Sequence, residues 1–220
     1  MKITVYSRKG GQGKTPIALN MAFEEGLGLC TNEDTPNLHE FLELNKELIV
    51  VEPNQEFPQL PLDVEVVFDL GGMMNNSVES ITSAIEQSDV VVVPIVNSKD
   101  GILGGAKTIA EVSELTPNIV VVANKLGSPG KGKSYEEGRD FQTIKKHLEA
   151  HGFGHLPVLP LKVSSAFEDM YVHKMSIRDF TEGTDENGDT YVFPMTVKWY
   201  LEVADQFDRI VSYLRENYGN

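Results

Sequence analysis

The segment Arg8-Lys9-Gly10-Gly11-Gln12-Gly13-Lys14-Thr15 decides the fold of this chain. It follows a β-rich run, Lys2–Tyr6, and precedes a helical pattern over residues 15–25, so the order is strand, loop and helix. Glycines let successive backbone N–H groups turn toward one anion, and the positive end of the helix dipole adds to the attraction. The spacing predicts a phosphate-binding loop in which Lys14 reaches the β- and γ-phosphates of a nucleotide and the Thr15 hydroxyl ligates Mg²⁺.

Short apolar runs alternate with helical patterns along most of the remaining chain. The apolar runs cover residues 27–31, 48–51, 64–70, 90–96, 119–123 and 157–163, and the helical patterns cover 77–87, 104–115 and 141–150. Several runs are apolar at successive positions, which is typical of strands buried on both faces of a parallel sheet. The sequence therefore predicts a doubly wound α/β fold, with a mostly parallel sheet flanked by helices.

The last forty residues depart from this alternation. A polar, acidic stretch contains Asn187-Gly188, a dipeptide typical of hairpin turns, and predicts a loop or hairpin near residues 181–193. Residues 197–218 carry a continuous apolar stripe that predicts a C-terminal packing helix. Because there is no internal repeat and no long linker, we expect one domain over residues 1–220.

Composition excludes several classes of function. The chain has 220 residues and a formal net charge of −14, which opposes general adhesion to nucleic acid and weakens any direct binding to DNA. Its single cysteine, Cys30, excludes an intramolecular disulfide and a cysteine-rich metal site. No apolar run approaches the roughly 18 residues that a membrane span needs, and no signal-peptide pattern is present, so we expect a cytoplasmic protein without a membrane partner.

The loop also carries a second lysine, Lys9, and has Arg8 where phosphate loops usually have their first glycine. The pattern Lys-Gly-Gly-X-Gly-Lys-Thr resembles the deviant Walker A motif of the ParA/MinD family of P-loop ATPases, and most of all that of ParA-type partition proteins. The resemblance implies a nucleotide-sandwich homodimer in which Lys9 reaches the partner's phosphates. It also implies that the whole loop binds ATP, through Lys9, Gly10, Gly11, Gln12, Gly13, Lys14 and Thr15.

Weaker similarities extend to about residue 180. Residues 64–69 resemble the family's Walker B strand, which implies that Asp69 holds Mg²⁺ together with Thr15. Residues 119–124 resemble the strand whose final asparagine, here Asn124, borders the adenine base. The stretch Asn32-Glu33-Asp34-Thr35-Pro36 stands where the family usually has Asp-X-Asp-Pro-Gln, so Asp34 is the candidate for orienting the attacking water.

Two departures from the family's pattern affect the expected activity. Asn32 replaces the first aspartate of that motif, and Pro16 replaces a threonine that contacts the α-phosphate. Proline is acceptable in a first helical turn but offers neither an N–H group nor a hydroxyl. We therefore expect reduced nucleotide affinity and slow hydrolysis that depends on stimulation.

Together these features imply an ATPase that uses Mg²⁺ and ATP, forms a homodimer on ATP binding, and partitions or positions DNA or another cargo with an activating partner protein. ATP is favoured over GTP because Asn124-Lys125-Leu126-Gly127 lacks the carboxylate that reads guanine. Two alternatives stay open. One is an ATP-dependent metabolic enzyme of the dethiobiotin-synthetase type, and the other is a regulatory scaffold that binds nucleotide without hydrolysing it.

Overall fold

A parallel seven-stranded sheet forms the centre of the molecule. The structure is a computed structural model that describes residues 1–33, 47–72, 77–184, 190–192 and 198–219. The strands of the sheet are β1 Lys2–Tyr6, β2 Gly28–Thr31, β3 Leu48–Val50, β4 Val66–Leu70, β5 Val90–Val96, β6 Ile119–Leu126 and β7 Val158–Lys162. Their order is β3-β2-β4-β1-β5-β6-β7, and every adjacent pair is parallel. The predicted α/β class with a doubly wound sheet is confirmed.

Helices cover both faces of this sheet. They are α1 Lys14–Glu25, α2 Val78–Glu86, α3 Lys99–Ser113, α4 Arg139–Ala150, α5 Ala166–His173 and α6 Lys198–Tyr218. One apolar cluster joins Ile3 and Val5 of β1 to α1, α5 and α6. A second cluster joins Tyr6 and Phe68 on the opposite face to α2, α3 and α4. Successive strand residues point to opposite faces of the sheet, so a strand that is apolar throughout contributes side chains to both clusters.

Helix α3 begins five residues before the position that its apolar pattern predicts. Its first turn is capped by Ser98, whose Oγ accepts a hydrogen bond from the Gly101 N–H at 3.0 Å. The sequence does not indicate this start, because three residues of the first two turns are glycines and glycine has low helix propensity. At Gly105 a Cβ would lie 2.4 Å from Ile95 Cδ1, so the missing side chain lets α3 approach β5 closely.

The C-terminal part of the chain adds a small antiparallel pair and a long helix. Strands β8 Glu182–Thr184 and β9 Thr190–Val192 pair with each other, and the predicted turn between them lies outside the described residues. Helix α6 buries Val203, Phe207, Ile210 and Leu214 in the same cluster as α1. None of the helices in the described part of the chain combines the length and hydrophobicity of a bilayer-spanning segment.

Candidate nucleotide-binding site

The glycine-rich loop connects β1 to α1 and leaves several backbone donors free. Gly11 and Gly13 have φ values of +79° and +83°, in the left-handed region that glycine adopts readily. Gly13 is also the N-cap of α1, which has no side-chain cap and no acidic residue in its first turn. The N–H groups of Lys14 and Thr15 therefore have no acceptor within the helix, and they offer an anion two donors at the positive end of the helix dipole.

Asp69 lies at the carboxyl end of β4, opposite Val5 of β1 and Thr31 of β2. The residue is 3% exposed, and its Oδ1 atom has no hydrogen-bond partner among the described residues. Burial raises the pKa of this carboxyl group to about 6, whereas the Thr15 side chain and the Lys14 ammonium group oppose the increase. A buried carboxylate oxygen without a donor is suited to a cation, so the pair of Thr15 and Asp69 fits Mg²⁺.

The metal would need further ligands. Within the part of the chain that the structure describes, no group of three or more His, Cys, Asp or Glu side chains could hold an ion by itself. Mg²⁺ is commonly bound through one or two protein oxygens together with waters and substrate phosphates. The donor set at Asp69 is therefore of the kind that binds Mg²⁺ with a nucleotide.

Two buried amide side chains hold the loop in place. Gln12 Oε1 accepts a hydrogen bond from the Val96 N–H at 2.7 Å, which ties the loop to the end of β5. Asn124 Nδ2 donates to the Gln12 carbonyl oxygen at 2.7 Å, and Asn124 Oδ1 accepts from the Lys125 N–H at 2.7 Å. Both ends of the Asn124 amide are thus bonded within the protein, so its immediate task here is to support the loop. Contact of Asn124 with a base stays a prediction.

Lys125 is a loop contact that the sequence did not reveal. The pairing of β6 with β7 shifts in register between Ala123 and Leu126, and Lys125 within this irregularity has a left-handed φ of +54°. The distorted backbone lets the side chain turn toward the loop, where its Nζ donates to the Gly11 carbonyl oxygen at 3.1 Å. A conformation that costs a non-glycine residue free energy is typical of a functional position.

Lys9 and Lys14 occupy different environments. Lys14 is partly buried and close enough to Asp69 to lower the pKa of that carboxyl group. Lys9 is exposed and has no hydrogen bond or ion pair to another residue within the described ranges. The base of the Lys9 side chain lies close to α3, because a Cβ placed on Gly104 would be 2.9 Å from Lys9 Cβ. Nothing in the described part of the chain therefore occupies the ammonium group of Lys9.

A cavity of about 250 Å³ adjoins the loop at Gly13. Its walls come from the first turn of α1, the irregular end of β6, and the segment that leads from β7 into α5. Pro16 supplies an apolar wall, and Phe167 and Tyr171 of α5 supply aromatic ones. A site that is mostly apolar with a few polar groups, placed next to a phosphate loop, is suited to a nucleobase. An i, i+4 pair of aromatic residues was visible in the sequence, but its position beside Gly13 was not.

The segment after β2 is fastened to the segment after β4. Asn32, which is 2% exposed, donates from Nδ2 to the Gly71 carbonyl oxygen at 3.3 Å and accepts from the Gly71 N–H at 2.7 Å. An aspartate could not donate the first of these bonds. The Glu33 side chain lies against Gly71, and its charge adds to the increase in the pKa of Asp69. Asp34, the candidate for orienting water, lies outside the described residues.

Comparison with solved structures identifies the fold. The chain is similar to Cyanothece McdA in a complex with ATP, with 12% identity and a TM-score of 0.59 over 97% of this chain and 95% of that one. It is similar to Aquifex aeolicus MinD from a MinC:MinD complex, with 14% identity and a TM-score of 0.58 over 96% of each chain. A Borrelia burgdorferi plasmid partition protein bound to AMPPNP gives 13% identity and a TM-score of 0.53 over 95% of this chain and 98% of that one.

Sequence comparison adds nothing to this result. No protein-family model matches the chain, and no curated protein matches it significantly. The chain has the fold of the McdA, MinD and partition-protein structures, as its resemblance to the ParA/MinD family predicted.

Proposed function

We propose that this chain is a ParA/MinD-type ATPase that binds Mg²⁺ and ATP, forms a nucleotide-sandwich homodimer, and hydrolyses ATP to partition or position a cargo. The observation that carries the proposal is the meeting of three features at one edge of the sheet. These are the N–H groups of Lys14 and Thr15 at the start of α1, the buried Asp69 oxygen that has no partner among the described residues, and the exposed ammonium group of Lys9.

Each of these residues has a distinct part in phosphoryl transfer. Lys14 stabilises negative charge on the β- and γ-phosphates of its own nucleotide, and Lys9 does so across the dimer. Thr15 and Asp69 hold Mg²⁺, which neutralises charge on the phosphate oxygens when it is bound. Asp34 orients the attacking water. The cavity beside Gly13 takes the base, and Asn124 keeps the loop in the geometry that binds the phosphates.

The comparisons support the nucleotide and the mode of action. Structures with this fold include McdA with ATP, a partition protein with AMPPNP, and MinD with its partner MinC. Dimerisation that depends on the γ-phosphate gives such a protein two states, because hydrolysis removes the contacts that only the ATP-bound dimer makes. An activating partner protein then acts by favouring hydrolysis in one place.

Direct DNA binding is a separate part of the proposal. The candidate basic contacts are exposed on α4 and the loop before it: Lys131, Lys133, Arg139, Lys145 and Lys146. Exposed acidic side chains stand among them at Glu136, Glu137 and Glu149. Real phosphate contacts give an affinity that falls steeply with salt, so DNA titrations at several salt concentrations test this part without reference to the ATPase.

The proposed ATPase is tested by turnover and by ATP-dependent dimerisation, measured by light scattering, for wild type, Lys14→Ala and Lys9→Ala. Lys107→Ala is the matched control, since Lys107 is exposed on α3. We expect Lys14→Ala to lose both activities, Lys9→Ala to be impaired in both, and the control to behave as wild type.

Other outcomes would favour other functions. Wild-type protein that binds ATP but never turns it over indicates the regulatory scaffold, for which Pro16 at the third position of α1 is the favouring observation. Lys9→Ala protein that dimerises and hydrolyses like wild type contradicts the proposal and favours a metabolic enzyme with the same fold.

A further inference from the structure

We infer that Arg8 is a positioning residue that acts with Glu111 to direct Lys9 toward the nucleotide of the partner subunit. The inference rests on the proposed function, because it concerns the residue expected to act across the dimer. Phosphate loops usually have glycine where this chain has Arg8, so the contacts of Arg8 need a separate explanation.

Arg8 joins the start of the loop to α3 through its backbone and its side chain. Its N–H donates to Thr108 Oγ1 at 3.2 Å, and its guanidinium group forms an ion pair with Glu111. The two charged side chains are 27% and 28% exposed. Solvent screens such a pair less than it screens a pair on the open surface. Arg8 is therefore fixed to the third and fourth turns of α3.

The neighbouring loop residues rest on the same helix. Lys9 lies over Gly104, and Thr108 Oγ1 donates to the Gly104 carbonyl oxygen at 2.9 Å. A Cβ at Gly101 would lie 3.2 Å from Gln12 Oε1, which shows how closely the loop approaches the first turn of α3. The loop thus packs against helix α3, and Arg8, next to Lys9, bonds the loop to that helix.

The ion pair also distinguishes Arg8 from its neighbour Lys9. Glu111 neutralises Arg8, whereas Lys9 has no ion pair to another residue within the described ranges. The second carboxylate oxygen of Glu111 is buried without a hydrogen-bond partner in that part of the chain. Loss of Arg8 would leave this carboxylate uncompensated beside the loop, where Lys9 is the cation adjacent to position 8 in the chain. We therefore expect Lys9 to turn from the dimer interface toward Glu111 when Arg8 is removed.

The test is a double-mutant cycle with Arg8→Ala, Lys9→Ala and the variant with both changes. ATP turnover and ATP-dependent dimerisation report the action of Lys9, and ADP affinity reports whether the loop still binds the phosphates of its own nucleotide. We expect each single variant to lower dimerisation and turnover by about tenfold, an ordinary size for residues in contact. The double variant should be no worse than Lys9→Ala, since Arg8 acts through Lys9. ADP affinity should be nearly unchanged.

Two further variants separate positioning from folding. Glu111→Gln should lower dimerisation as Arg8→Ala does, and the charge-reversed Arg8→Glu/Glu111→Arg protein should recover part of the loss. Lys107→Ala, on the exposed side of α3, should match wild type. Additive losses in the cycle, or an Arg8→Ala protein with wild-type dimerisation, would overturn the inference alone. Wild-type protein that fails to bind ATP at all would overturn the proposed function and this inference with it.

Discussion

Alanine substitutions at the three glycines of the loop test its geometry, because the glycines differ in backbone conformation and in the space around them. Gly10 has no left-handed φ, and a Cβ there meets no atom within 4 Å. Gly11 has a φ of +79° and the same open space. Gly13 has a φ of +83°, and a Cβ would lie 2.4 Å from Asn124 Nδ2. The first substitution tests neither constraint, the second tests backbone strain, and the third tests strain together with a steric clash.

The expected losses of unfolding free energy follow in that order. Gly10→Ala should stay within about 0.5 kcal/mol of wild type. Gly11→Ala should cost about 1 to 2 kcal/mol, the cost of placing an L-residue in the left-handed region. Gly13→Ala adds the displacement of Asn124 from the Gln12 carbonyl oxygen, which leaves buried polar groups unpaired and costs about 1 to 3 kcal/mol more.

Urea denaturation of the nucleotide-free protein measures this series directly. Combining Gly13→Ala with Asn124→Ala should cost less than the sum of the two single losses, since the truncated residue 124 no longer clashes. The reasoning is refuted if Gly13→Ala is no more destabilising than Gly11→Ala, or if the two losses at Gly13 and Asn124 are additive.

Three other predictions concern charged side chains. Because Asp69 must be ionised to hold Mg²⁺ and burial raises its pKa to about 6, Mg²⁺-dependent ATP affinity should fall as pH decreases through 6. Titrations with Asp69→Asn should lack that pH dependence. Burial raises the pKa of Glu24 from 4.5 to about 7, so the folded state binds the extra proton and stability falls as pH rises between these values. Glu24→Gln should therefore be more stable than wild type at pH 8, by no more than about 3 kcal/mol, and equal to it near pH 4.5; equal denaturation midpoints at pH 8 would contradict this. Finally, the left-handed φ of Lys125 predicts that Lys125→Gly is more stable than Lys125→Ala by about 1 kcal/mol, and the reverse order would exclude strain at this position.

The parts of the fold that the sequence predicted depend on local patterns. Strands that are buried on both faces appear as continuous apolar runs, and the phosphate loop has glycines at fixed spacing, so both are visible without tertiary information. The predicted strand 90–96 matches β5 at both ends. The start of α3 was wrong by five residues, because its glycine-rich first turns depend on the Ser98 cap and on close packing against β5.

The missed parts of the site depend on contacts between distant segments. The hydrogen bond from Asn124 to Gln12 joins residues 112 positions apart, and no periodicity indicates it. The left-handed Lys125 arises from a shift in strand register, which hydropathy does not encode. Phe167 and Tyr171 line the cavity beside Gly13 only because α5 packs against the same sheet face as α1.

The central claim is that the loop of residues 9–15 binds a triphosphate with Mg²⁺. Calorimetric titration of ATP into the nucleotide-free protein, with and without Mg²⁺, tests it most directly when wild type is compared with Lys14→Ala. We predict saturable binding of one ATP per chain to wild type, tighter with Mg²⁺, and loss of that binding in Lys14→Ala. Absence of binding to wild type, or equal binding by the two proteins, would contradict the claim.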